Sequence, residues 1–281
     1  MSISSNSIAT GAATPAQNEA SNWVDDCIKR LEGILHNNNL TIAHLMTIAE
    51  VVAILTTVTP IIMEDGSLVE IDPPCSVVGD LHGQFVHMHM LFDMIGKGPK
   101  ERMMFLGNYV DRGKWSTEVV LYLFCLKIRY PKRIYMLRGN HETPAVNKIY
   151  GFYQELINKF GYPGIGLWYD FQSVFNRLPL AATVGETILC VHGGLSPELQ
   201  SLDTIRNIVR PCRAGRLRVM AGGKLVTIFS APNYCNQFSN AAAVIIIDEY
   251  LSYWEKNLRL PLPSGSQAKS APIIAMGTKN R

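Results

Sequence analysis

Cysteine is sparse and scattered in this chain. Six occur (Cys27, Cys75, Cys125, Cys190, Cys212 and Cys235), none in a CxxC pair, so no disulfide framework is indicated. Cys75, Cys125 and Cys190 sit in apolar runs, where a free thiol behaves as a small hydrophobe. Charge of one sign is also lacking. The 26 Lys and Arg against 23 Asp and Glu leave a formal +3, too little to argue for nucleic acid or an anionic membrane as partner. No GxxxxGK[ST] occurs, which excludes a P-loop. The run GYPGIG (161–166) reads as a turn after a helix and does not fit a dinucleotide fingerprint. The longest apolar run, TIAEVVAILTTVTPIIM, contains Glu50 and Pro60 and is shorter than a membrane span requires. It reads as a buried amphipathic helix. The first twenty residues have no apolar segment of the export type, and with the unpaired thiols this predicts a reduced protein of the cytosol or nucleus.

What remains is an ordinary globular composition, 47% apolar and 17% charged over 281 residues, long enough for a large core. The small polar residues of 1–20 predict a disordered lead, and 261–281 a flexible tail. Between them, 21–260 read as one globular pattern. Helical periodicity predicts helices at 23–35, 42–57 (capped by Thr41), 86–95, 117–129 and 149–160. Short apolar runs predict strands at 76–78, 103–106, 134–137, 188–191, 226–229 and 242–247. Strands alternating with helices predict an α/β core with parallel pairing in part.

Five of those strands run directly into a polar cluster: GDLHG, GNYVDRG, RGNHE, VHGG and SAPNYC. Ligands gather at the carboxyl edge of open α/β sheets. Asp80, His82, Asn140 and His192 offer carboxylate, amide oxygen and imidazole, a set suited to Mn, Fe or Zn. Arg112 and Arg138 offer forked cations for phosphate oxygens. His141 is placed to be a general acid, with Asp111 to orient it. Metals, arginines and an acidic histidine together describe phosphate-ester hydrolysis, in which paired cations activate water for in-line attack. His87 and His89 form an HxH, but positions two apart on a helix point to different faces. Met88, Met90 and Met94 read as packing residues.

The series GDLHG, GNYVDRG, RGNHE, VHGGLSPEL and LVTIFSAPNYC resembles the signatures of the phosphoprotein phosphatase family of serine/threonine phosphatases, closest to type-1 catalytic subunits. The resemblance spans about 23–250. It implies a calcineurin-like metallophosphoesterase fold, two mixed β-sheets in a sandwich flanked by helices, acting on phosphoprotein substrates and able to take regulatory or scaffold subunits. It implies two divalent metal ions, Asp80 and His82 holding the first and Asn140 and His192 the second. His141 would be the leaving-group acid paired with Asp111, Arg112 would bind phosphate, Tyr234 would line the site, and Cys235 would sit where the family meets some inhibitors.

Two departures stand out. Asn108 occupies the place of the family's metal-bridging aspartate, and a neutral amide offers one carbonyl oxygen where a carboxylate bridges two cations. Several dozen residues of the family pattern are also missing near 210–217. With them go a second phosphate-binding arginine, the last histidine of the second metal and part of the second sheet. The expectation is a weak second metal site, impaired hydrolysis, and a rival role as a non-catalytic pseudophosphatase that binds or competes for partners. The ending DEYLSYWEKNL departs from the family pattern, so partner choice does not carry over.

Overall fold

The computed structural model describes residues 15–96, 101–193, 199–212 and 228–260, with side chains from residue 23 onward. The chain opens on helix α1 (Pro15–Glu32) and a 3-10 turn, Gly33–Leu35. The expectation of disorder over 1–20 is therefore overturned for 15–20, because Ala16, Gln17, Glu19 and Ala20 are strong helix formers behind a proline in the first turn. The helix expected at 42–57 is two: α2 (Ile42–Leu45) and α3 (Ile48–Met63). Met46 is extended between them, and Thr47 restarts the helix as a capping box, its side chain accepting from the Glu50 N–H while Glu50 accepts from the Thr47 N–H. Helix α3 runs on through Pro60, on its exposed side.

There follow β1 (Leu68–Ile71), β2 (Cys75–Val78), α4 (Phe85–Ile95), β3 (Arg102–Phe105), α5 (Ser116–Arg129) and β4 (Ile134–Met136). After them come α6 (Pro144–Asn147), α7 (Phe152–Phe160), α8 (Pro163–Phe175), β5 (Ala181–Val184), β6 (Ile188–Val191), α9 (Leu202–Arg206), β7 (Ala242–Ile247) and β8 (Tyr253–Leu258). The turn expected at 161–166 is confined to Gly161 and Tyr162, and helix α8 takes over from Pro163. Its Gly164 lets α8 press on α7, where a Cβ would fall 2.3 Å from the Leu156 carbonyl oxygen. Of the strand expected at 226–229, residues 226 and 227 lie outside the described residues, and Phe229 forms a single parallel bridge to Asp80. The tail 261–281, residues 1–14 and residues 213–217 of the expected deletion also lie outside them.

Two mixed sheets result. In one the order is β4-β3-β2-β7-β8, with β4, β3 and β2 parallel and β7 and β8 antiparallel. The other has the order β1-β5-β6, its first pair parallel and its second antiparallel. Alternation along each strand divides the core. Val77, Met104, Tyr135 and Ile245 meet Val69, Ile71, Val184 and Cys190 between the sheets. Val78, Met103, Phe105, Met136 and Val244 face the other way, into the helices. Helix α9 covers the outer side of the small sheet through Ile205, against Leu68 and Ala181. This is a sheet sandwich flanked by helices. The parallel strands β2, β3 and β4 end at one edge, and β6 delivers His192 to the same place.

Candidate active site

Three of the loops at that edge hold an unusual backbone. His82, Asn108, Asp111 and Arg112 all have positive φ, from 46 to 73°, as do Asn233 and Cys235 on either side of Tyr234. Such conformations cost of order 1–3 kcal/mol apiece for non-glycine residues and collect where surrounding structure holds functional groups in place. Gly107 and Gly139 let the loops after β3 and β4 touch, since a Cβ on Gly139 would lie 2.4 Å from Asn108 Oδ1. The clamp between these loops is Glu142, wholly buried, which accepts the N–H groups of Asn108 (2.7 Å), Tyr109 (2.8 Å) and Gly139 (3.0 Å). Burial pushes its carboxyl above the usual range, and His192, the amide donors and His141 pull it back.

The expected acid and its partner are together: His141 Nδ1 lies 2.6 Å from Asp111 Oδ2, and both residues are buried. Asp111 Oδ1 accepts the Phe152 N–H at 2.9 Å, which fixes the carboxylate. Asn147 donates to the His141 carbonyl (3.0 Å) and is itself held by Gln172 and Trp168. This support escaped the sequence reading because α8, which carries Gln172 and Trp168, was not foreseen. His82 meets His141 edge to face at 4.7 Å between ring centroids, and Tyr234 closes over His82 at 4.9 Å. Burial, then Cys235, raises the Tyr234 phenol, and the positive charge of Arg112 offsets part of that rise. Arg112 is exposed, its guanidinium 4.2 Å from the centre of the Tyr150 ring. Cys235 is half-buried beside Tyr234.

Arg138 needs a correction. Read as a phosphate ligand, it is buried and points elsewhere: it donates to the Glu142 carbonyl (3.0 Å), the Cys212 carbonyl (2.7 Å) and Asn176 Oδ1 (2.6 Å). A guanidinium fork suits backbone carbonyls as well as phosphate, and residue type alone does not separate the two uses. His87 and His89 do diverge. His87 Nδ1 pairs with Gln84 Oε1 at 2.9 Å, whereas His89 is buried against Phe85, Phe92 and Tyr122.

Do these residues suit metal ions? The His82 Nδ1–H donates to the Val110 carbonyl at 3.0 Å, so in the neutral ring Nε2 turns a lone pair toward Asp80 Oδ2, 3.2 Å away. The His192 Nδ1–H donates to the Leu106 carbonyl at 3.0 Å and leaves Nε2 facing Asn140 Oδ1 at 2.9 Å. At Asp80–His82 two acceptors face one another, an arrangement that calls for a proton or a metal cation; at Asn140–His192 the ring lone pair meets an amide that offers its oxygen as a ligand in this orientation and an N–H donor when turned over, and metal-ligating histidines are commonly tethered through the other nitrogen in this way. Both half-sites therefore fit a cation. Burial raises the Asp80 carboxyl, but His82, His192 and Asn108 outweigh it and hold it below the usual range.

Asn108 does not fit as a bridge. Its Oδ1 is claimed by the His141 N–H at 3.0 Å, which turns Nδ2 to donate to Asp80 Oδ2 at 2.9 Å. A donor NH2 thus faces the place where a bridging ligand needs an oxygen. Among the described residues no group of three or more His, Cys, Asp or Glu is assembled to hold one ion.

Comparison with known proteins agrees with this architecture. The calcineurin-like phosphoesterase family model matches residues 74–254. A provisionally named serine/threonine-protein phosphatase of Caenorhabditis elegans, C06A1.3, is 44% identical over 312 residues, covering 90% of this chain and 85% of its own. Those 312 aligned positions exceed the 281 residues of the present chain, so the alignment opens gaps in it. Serine/threonine-protein phosphatase PP1-delta of the same organism is 38% identical over 240 residues, covering 65% of this chain and 78% of its own. Among solved structures, a Saccharomyces cerevisiae serine/threonine phosphatase described as similar to human phosphatase PP5 superposes with a TM-score of 0.72 at 26% identity, over 84% of this chain and 98% of that one. A metallophosphoesterase fold with phosphatase relatives is the class defined here. The chain belongs to the calcineurin-like phosphoesterase family, among the serine/threonine phosphatases.

Proposed function

We propose that this chain hydrolyses phosphoserine and phosphothreonine esters on proteins, at a turnover held down by Asn108. The observation that carries the reading is the Asp111–His141 pair, closed to 2.6 Å and buried. With Nδ1 committed to Asp111, the His141 ring presents Nε2 as the group that hands a proton to the departing serine oxygen. Arg112, exposed beside Tyr150 and Tyr234, supplies a guanidinium for phosphate oxygens. Asp80 with His82, and Asn140 with His192, would hold divalent cations, Mn²⁺ foremost with Fe or Zn as alternatives. Such ions supply Lewis acidity toward water and phosphoryl oxygens when bound. The Nδ2 of Asn108 weakens the junction of the two half-sites.

That same Nδ2 favours a second reading, a non-catalytic protein that binds phosphorylated partners without turning them over. Phosphate release from a phosphoserine peptide, titrated with Mn²⁺ beside the His141→Ala variant, separates the two. Metal-dependent release that vanishes in the variant is the expected outcome. Release equal to that of the variant, from protein shown to be folded, leaves the binding role.

A further inference from the structure

At Arg112 the surface opens into a cleft of about 720 Å³, lined by Thr41 and His44 of the α2 region, by Arg112 and Lys114, and by Tyr150, Gln154 and Lys159 of the α7 region. One carboxylate, Glu155, also lines it, and that acid is spent. Its oxygens accept the Ser116 N–H, the Thr117 N–H and hydroxyl, and the Lys159 ammonium at 2.7 Å. Lys159 is matched in turn by Glu155 and Glu118. The other two cations are not matched: among the described residues neither Arg112 nor Lys114 has a carboxylate partner. Lys114 is exposed, lies over the Trp115 ring at 4.7 Å, and gives one hydrogen bond, to the Asn38 carbonyl at 2.7 Å. That leaves ammonium protons for a ligand. His44 adds a donor. Its Nδ1 accepts the Thr41 N–H at 3.2 Å, which makes Nε2 the protonated nitrogen of the neutral ring.

The cleft begins where the reaction would occur. His141 packs on Tyr150 at 5.6 Å, and Arg112 stacks over the same Tyr150 ring. For a substrate whose phosphate meets Arg112, Lys114 and His44 lie in the same cleft, within reach of the residues that flank the phosphate. Unbalanced positive charge with outward donors in a concave surface selects an anionic ligand by charge complementarity. We infer that this cleft is a second recognition site, one that takes acidic residues flanking the phosphorylated position of the substrate. The inference rests on the phosphate-binding reading of Arg112 proposed above.

The test uses the full chain and two fluorescent peptides carrying a non-hydrolysable phosphonate analogue of phosphoserine, one flanked by glutamates and one by glutamines. Binding is read by anisotropy, so no turnover is needed. The acidic peptide is expected to bind roughly 3–10-fold tighter to the native chain, an advantage that shrinks with added salt as exposed ion pairs do. In Lys114→Gln, an exposed substitution whose folding is checked by its thermal transition, the advantage should fall to about twofold or less. Equal binding of the two peptides, or an acidic advantage untouched by Lys114→Gln, overturns the second site while leaving the phosphate reading intact. Failure of both peptides to bind overturns the phosphate reading, and the inference with it.

Discussion

At residue 108 the oxygen and nitrogen of one side chain decide what the site can hold. The His141 N–H can be met only by an acceptor, so the amide has no freedom to flip and Nδ2 must face Asp80. Asn108→Asp would replace that donor by a second anionic oxygen close to the Asp80 carboxylate. Without a cation the two carboxylates repel; with one they share it. The variant is therefore expected to melt below the native chain in EDTA and above it in saturating Mn²⁺, a reversal of sign that scanning calorimetry would detect. A variant that melts on the same side of the native chain in both buffers would show that position 108 does not contact the cation. This residue was legible from sequence because it interrupts a motif at a fixed place. Glu142 was visible only as a neighbour of His141, since nothing in its spacing says that a fully buried carboxylate collects three backbone N–H groups. Arg138 was misread for the opposite reason: its chemistry was right, but its direction is set by Asn176 and Cys212, far along the chain.

At the scale of the element, long periodic helices and apolar strands were readable, whereas segments made by tertiary contact were not. The strands LVEI and AATV are four residues each, and they pair with one another across more than a hundred residues. No local pattern announces such pairing. Helix α8 begins in a glycine-rich run that local propensity reads as a turn; packing on α7 overrides it, because Gly164 is what permits the approach. Strand β8, YWEKNL, is mostly exposed and owes its form to pairing with β7. The join between α1 and α3 carries a testable charge. Arg30 donates to Glu50 at 2.7 Å and to the Leu45 carbonyl at 2.8 Å, while Glu50 also caps α3. The Arg30 hydrogen bond, with the Thr47 cap, holds the Glu50 carboxyl down at about 2. A depressed folded-state value means that the stabilisation is complete above the ordinary carboxyl range near 4.5 and is lost as pH falls toward 2. The native chain should therefore lose more melting temperature than Glu50→Gln between those limits. Parallel curves for the two proteins would remove Glu50 from the acid response.

Across the whole molecule the site is built from both sheets. Asp80, Asn108 and Asn140 follow β2, β3 and β4 of the five-stranded sheet, while His192 follows β6 of the other and is tied back through the Leu106 carbonyl. A cation shared by these loops would bind the assembled sandwich and not the unfolded chain, so it must stabilise the fold by mass action. At a free concentration about a hundredfold above its dissociation constant that is roughly 2.7 kcal/mol, or about 5 °C in a protein of this size. The melting temperature should climb with Mn²⁺ and then keep rising slowly with its logarithm. His192→Ala would remove the one candidate ligand that, among the described residues, the small sheet supplies, and so flatten the rise. His87→Ala would keep it, because that ring lies on α4 with Gln84. A native chain whose melting temperature ignores Mn²⁺ at millimolar levels would mean that neither Asp80–His82 nor Asn140–His192 holds this cation in the folded protein, and that the proposed metal-dependent hydrolysis does not run on it.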